Sequence, residues 1–109
     1  MVENLVKWQD VREVEMLPGI YRRTLSVTDS MMICEFRINK GAVVPPHSHP
    51  HEQVGYLVTG CMEVTIDGKL FVLGPGDGYA VPGGVEHSAT YPVNTILIDC
   101  FSPPREEYR

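Results

Sequence analysis

Polar and apolar positions alternate along much of this chain with a period of two, the period of a strand with one covered face. The clearest stretch is Met31 to Ile38. Met32, Cys34, Phe36 and Ile38 fall on one side, and Met31, Ile33, Glu35 and Arg37 on the other. Further extended runs are Ile20 to Leu25, Ala42 to Val44, Gln53 to Thr59, Met62 to Ile66, Lys69 to Leu73, Tyr79 to Val81, Val85 to Tyr91 and Thr95 to Phe101. Turn residues separate them: Asn39-Lys40-Gly41, Gly60, Gly74-Pro75-Gly76, Pro82-Gly83-Gly84 and Ser102-Pro103-Pro104. Asp67-Gly68 between two alternating runs is a hairpin signal. No segment carries a convincing helical period. About nine short strands without a helix predict an all-β sandwich or barrel.

The last strand sharpens this. Leu97, Asp99 and Phe101 share one face, and Ile96, Ile98 and Cys100 share the other. A strand apolar on both faces is expected to be covered on both sides. A barrel interior would cover one, and a partner subunit the other. Residues 1–19 mix Leu5, Val6, Trp8, Val11, Val14 and Met16 with charge, and Leu17-Pro18-Gly19 ends the segment. They are expected to form an N-terminal arm packed on the barrel or on a partner, ahead of a single domain at 20–109.

Composition acts mainly by exclusion. With 109 residues the chain is one domain, large enough to bury a core without a disulfide scaffold. A hydrophobic content of 43% and a charged content of 21% are ordinary for a globular protein. A net charge of −5 argues against nucleic acid or an anionic membrane as a main partner, because neutralising phosphate needs a basic face. Cys34, Cys61 and Cys100 form no CxxC and read as small core residues in a reducing compartment. The start, MVENLVKWQDVREVE, is too charged for a signal peptide, and no apolar run reaches the length of a membrane span. A cytoplasmic location is expected.

Candidate chemistry lies in two Gly/Pro-rich blocks. In the first, His47 and His49 are two residues apart, so an extended backbone points both imidazoles the same way. Pro45-Pro46 stiffens the approach, and Gln53 follows four residues after His49. In the second, Gly76 to Tyr91, stands His87. Three imidazole nitrogens and an amide oxygen make a mixed metal site that suits zinc, nickel, iron, copper or manganese. His51 has the parity of a ligand, but Pro50 breaks the strand and sends it to the rim. Glu52 would replace Gln53 only if the register slipped by one.

The spacing resembles a known family. Gly41, five residues, His47-Ser48-His49, three residues, Gln53, six residues and Gly60 match the first cupin motif. Gly76, five residues, Pro82-Gly83-Gly84, two residues and His87 match the second. There are two departures: Gln53 stands where glutamate is usual, and Tyr91 where asparagine is usual. The resemblance implies a small double-stranded β-helix, a jelly-roll-like barrel, commonly a homodimer. It implies one divalent metal held by His47, His49, Gln53 and His87.

Within that family, HSHPHEQ followed by Asp99-x-Phe101-x-x-x-Arg105 is similar to the pectin-degradation cupins that linearise unsaturated uronates. This implies a small anionic substrate, a 4,5-unsaturated monouronate, turned into an open-chain keto sugar acid. Asp99 would be the general base, Phe101 an apolar wall and Arg105 a fork onto the substrate carboxylate. Set against these roles, Asp99 is equally read as a solvated strand residue. Arg105, after Pro103-Pro104 and near the end, has a solvated arginine as its default. A glutamine ligand leaves the metal's double charge uncancelled, which favours Lewis-acid work over redox. Two other readings stand beside this one: an iron-dependent dioxygenase of a small molecule, and a non-catalytic module that binds a metal and a metabolite.

Overall fold

The computed structural model describes residues 5–109. The first four residues of the predicted arm lie outside the described residues. Ten strands follow: β1 (Val14–Leu17), β2 (Ile20–Val27), β3 (Met32–Ile38), β4 (Val43–His47), β5 (Glu52–Thr59), β6 (Met62–Ile66), β7 (Lys69–Leu73), β8 (Gly78–Val81), β9 (His87–Thr90) and β10 (Thr95–Ser102). Short 3-10 turns at Trp8–Asp10 and Glu106–Tyr108 are the only helical elements among the described residues.

The strands form two antiparallel sheets. One has six strands in the order β1-β2-β3-β10-β5-β8, and the other four in the order β4-β9-β6-β7. Their facing sides make an all-β barrel. Ile38, Leu57, Val64, Leu97 and Phe101 are almost completely buried there. Each such side chain contributes about 1.5–3 kcal/mol by leaving water. The alternation read in β3 holds, with Met32, Cys34, Phe36 and Ile38 buried. The Asp67-Gly68 turn takes positive φ at both residues (52° and 79°), as a two-residue hairpin between β6 and β7 requires.

One strand was not expected. Val14–Leu17 lies within the predicted arm yet pairs with β2, Val14 opposite Arg22 and Leu17 opposite Ile20. Pro18-Gly19, read as the end of a segment, is the tight turn of that hairpin, with Gly19 at φ 78°. The residues before it are tied down as well. Trp8 donates its indole N–H to Glu35 at 2.6 Å. The Arg23 guanidinium lies 3.9 Å from the Trp8 ring centroid. Glu13 bridges Arg23 (3.1 Å) and Arg37 (2.7 Å).

The outer face of β10 is half-buried at Ile96, Ile98 and Cys100. Beside it β5 exposes Val54 (53%), Tyr56 (52%) and Val58 (39%), so an apolar strip runs across the six-stranded sheet. No helix among the described residues is long and apolar enough to cross a membrane.

Candidate metal centre

Two pairings build the histidine cluster. β4 and β9 are neighbours, and their register sets His47 directly opposite His87. His49 follows in the loop to β5, where the Gly84 N–H donates to its carbonyl at 2.8 Å. A side chain at Gly83 would overlap the Pro50 carbonyl, so only glycine lets the Pro82–Gly84 turn approach this loop. The two Gly/Pro-rich blocks of the sequence thus meet in space. Gln53 reaches the cluster from β5, in the opposite sheet.

The ligand atoms of His47, His49 and His87 all lie within 4.8 Å of one another. Each Nδ1 faces a backbone carbonyl two residues away: Pro45 at 2.9 Å, His51 at 3.1 Å and Val85 at 3.0 Å. A carbonyl only accepts, so each Nδ1 carries the hydrogen and each Nε2 keeps its lone pair. Burial first, and the neighbouring cations next, hold His49 below the usual imidazole range; burial does the same to His87. The His87 Nε2 is buried without a partner. The His49 Nε2 lies 3.2 Å from Gln53 Oε1. With the proton on Nδ1, both atoms are acceptors and neither offers a hydrogen. Buried acceptors turned on one point are costly unless a cation satisfies them. This donor set therefore fits a divalent transition metal, and the three histidines could hold one.

Three adjacent strands build the rest of the site. Across β10-β5-β8, Asp99 pairs with Gly55 and Gly55 pairs with Tyr79. Glycine at the middle position leaves Asp99 and Tyr79 free to meet over it. A side chain there would overlap the Tyr79 ring and Asp99 Oδ1. The Tyr79 hydroxyl donates to Asp99 Oδ1. The Gln53 amide N–H donates to Asp99 Oδ2 at 2.9 Å. Asp99 is only 4% exposed, so it is no solvated strand residue. Burial pushes its carboxyl up to about 7, against the pull of hydrogen bonds from Tyr79 and Gln53.

Phe101 stands opposite Gln53 and is buried, with its ring 6.0 Å from that of His49. Arg105 is not the solvated arginine that its position suggested, since its side chain is 13% exposed. The Glu106–Tyr108 turn folds back over the barrel mouth, where Thr24 donates to the Tyr108 carbonyl. The Arg105 guanidinium packs 4.2 Å from the Tyr108 ring and 5.3 Å from Phe101. It donates to Glu107 at 3.1 Å, and its Nε is buried without a partner. His51 orients His49 through its carbonyl, while Glu52 is exposed and faces away.

His47, Gln53, His87, Asp99, Phe101 and Arg105 line one cavity of about 370 Å³. Tyr79, Tyr91 and Tyr108 line it too, and sequence reading had singled out none of them as a site residue. For Tyr79 a signal existed: Gly55 interrupts an apolar strand, which marks a close approach from a neighbour. For Tyr108 there was none, because a short polar tail gives no sign of folding back.

Comparison with known proteins bears on this arrangement. The family model described as the cupin domain matches residues 34–96. The pectin degradation protein KdgF of Dickeya dadantii is 30% identical over 109 residues, covering 98% of this chain and 94% of that protein. The crystal structure of an RmlC-like cupin from Shewanella frigidimarina superposes with a TM-score of 0.94 at 35% identity, covering 99% of this chain and 97% of that one. The structure of KdgF from Halomonas sp. superposes with a TM-score of 0.93 at 31% identity, covering 99% of this chain and 100% of that one.

Proposed function

The chain belongs to the cupin family, and on that premise we propose that it opens the ring of small 4,5-unsaturated uronates and converts the resulting enol into an open-chain keto acid. One observation carries the reading. Asp99, Phe101 and Arg105 line the same cavity as His47, His87 and Gln53. Its volume, about 370 Å³, suits a single sugar acid rather than a polymer. The likeness to two KdgF proteins, one of them named for pectin degradation, supports the substrate class.

A divalent cation held by His47, His49, Gln53 and His87 would supply a Lewis acid with its charge uncancelled by any ligand. The chain's own residues do the rest. Arg105 pairs with the substrate carboxylate, a role its unpartnered Nε leaves open. Phe101 packs against the sugar ring and keeps water from it. Asp99 takes the proton of the C1 hydroxyl. The bond from C1 to the ring oxygen then breaks, its electron pair stays on the oxygen at C5, and C1 becomes an aldehyde. The enolate across C4 and C5 takes a proton at C4 and becomes a ketone. One proton leaves and one returns, so the step is an isomerisation that needs no oxidant.

The apolar strip of Val54, Tyr56, Val58, Ile96 and Ile98 supports a homodimer formed through that face. Free thiols at Cys34, Cys61 and Cys100 agree with a cytoplasmic setting.

A blocked substrate tests the mechanism. The free 4,5-unsaturated monouronate should lose its ultraviolet absorbance when metal-replete protein is added. Its methyl glycoside, which has no C1 hydroxyl proton to give, should be untouched. Equal turnover of both would overturn the ring-opening route.

A further inference from the structure

We propose that Tyr79 and Asp99 form a buried orienting pair that fixes which way round the Gln53 amide sits, and that this pair requires an amide rather than a carboxylate at position 53.

The Gln53 amide has two orientations. In the one observed, Oε1 lies 3.2 Å from His49 Nε2 and the N–H group faces Asp99 Oδ2 at 2.9 Å. The reverse would give His49 a donor, which its free Nε2 lone pair would welcome. It would also set Oε1 against Oδ2, two acceptors in contact between largely buried side chains. Asp99 therefore decides the orientation, and it does so against the local preference of His49. Asp99 can act this way only if its own carboxylate is held. Tyr79 holds it by donating to Oδ1, which leaves Oδ2 aimed at Gln53. Gly55 makes the contact possible by occupying the middle of the row with no side chain.

The same geometry disfavours glutamate. A glutamate at 53 would place a carboxylate oxygen where the amide now offers an N–H, against a second buried carboxylate. The site thus couples three residues that the sequence separates widely, Gln53, Tyr79 and Asp99. Tyr79 is a positioning residue here. It reaches the metal cluster only through Asp99 and Gln53. The melting tests probe the coupling itself, and the zinc test rests in addition on the reading of Gln53 as a ligand.

Thermal melting of metal-free protein tests the coupling. Gln53→Glu should lower Tm by roughly 5–15 °C. Exchanging the groups, Gln53→Glu with Asp99→Asn, restores a donor opposite the carboxylate and leaves an acceptor for Tyr79. The double variant should recover most of the lost Tm, well above the sum of the single effects. Tyr79→Phe, measured by competition for zinc(II) with a chromophoric chelator, should lower affinity about 10–100-fold. Additive Tm changes, or wild-type zinc affinity in Tyr79→Phe, would overturn the proposal. If a position-53 variant does not fold, the Tyr79→Phe affinity decides. None of these readouts involves a uronate, so failure of wild-type protein to turn over uronates would sink the proposed activity and leave the coupling standing.

Discussion

Replacing His49 by alanine is expected to abolish both metal binding and uronate turnover. His49 belongs to the trio whose ligand atoms lie within 4.8 Å, and it faces Gln53 as well as the other two imidazoles. Its loss leaves two histidines and an amide, a set that satisfies a divalent transition metal poorly. A Lewis acid contributes several kcal/mol to stabilising a developing oxygen anion, so turnover should fall on the order of 10³-fold or more. The fold should survive, because His49 sits in a loop whose anchor is a backbone bond, Gly84 N–H to the His49 carbonyl at 2.8 Å. Elemental analysis beside wild type checks the first half, and a rate assay on the same preparation the second. Full metal content in His49→Ala would remove this residue from the ligand set.

The second large effect is expected from Asp99→Asn, which keeps the shape of the side chain and removes its capacity to accept a proton. Turnover should fall by about 10²–10⁴-fold, the usual contribution of a positioned general base. At saturating metal, the metal content should stay close to that of wild type, because the three histidines are intact and asparagine can still accept the Gln53 N–H. The two variants therefore separate the roles: His49→Ala loses metal and rate together, and Asp99→Asn loses rate alone. An Asp99→Asn protein with wild-type rate would take Asp99 out of the chemistry and leave it as the partner of Gln53 and Tyr79.

Much of this arrangement was legible along the chain because it is set by local rules. The β6–β7 hairpin appears at the bounds its alternation and its Asp-Gly turn specify. His47 and His49 are recognisable by parity, and the glycines of both motifs by the turns they permit. What was hidden depends on which strands become neighbours. The contact between Tyr79 and Asp99 exists because β5 lies between β8 and β10, an order that no window of sequence contains. The first strand was hidden for a different reason. Leu17-Pro18-Gly19 signals a stop and a hairpin turn alike, and only the partner β2 distinguishes them. The surroundings of Arg105 were hidden because its cover comes from Tyr108, held in turn by Thr24 far back in the chain.

The departure at Gln53 gains meaning from this. From sequence, its neutral charge suggested Lewis-acid rather than redox chemistry. In the structure the amide is also the link between the histidine cluster and the buried carboxylate, donating to Asp99 while its oxygen faces His49. A group that holds the cluster and Asp99 in one geometry suits a reaction in which oxygen-anion stabilisation and proton transfer occur on the same small molecule.

The most direct test is the rate at which metal-replete wild-type protein removes the ultraviolet absorbance of a purified 4,5-unsaturated monouronate, set against buffer carrying the same free metal. Loss of absorbance many-fold faster than in that buffer, with an open-chain keto acid as the product, is the expected result. A rate no faster than metal in buffer would contradict the assignment of this site to uronate ring opening.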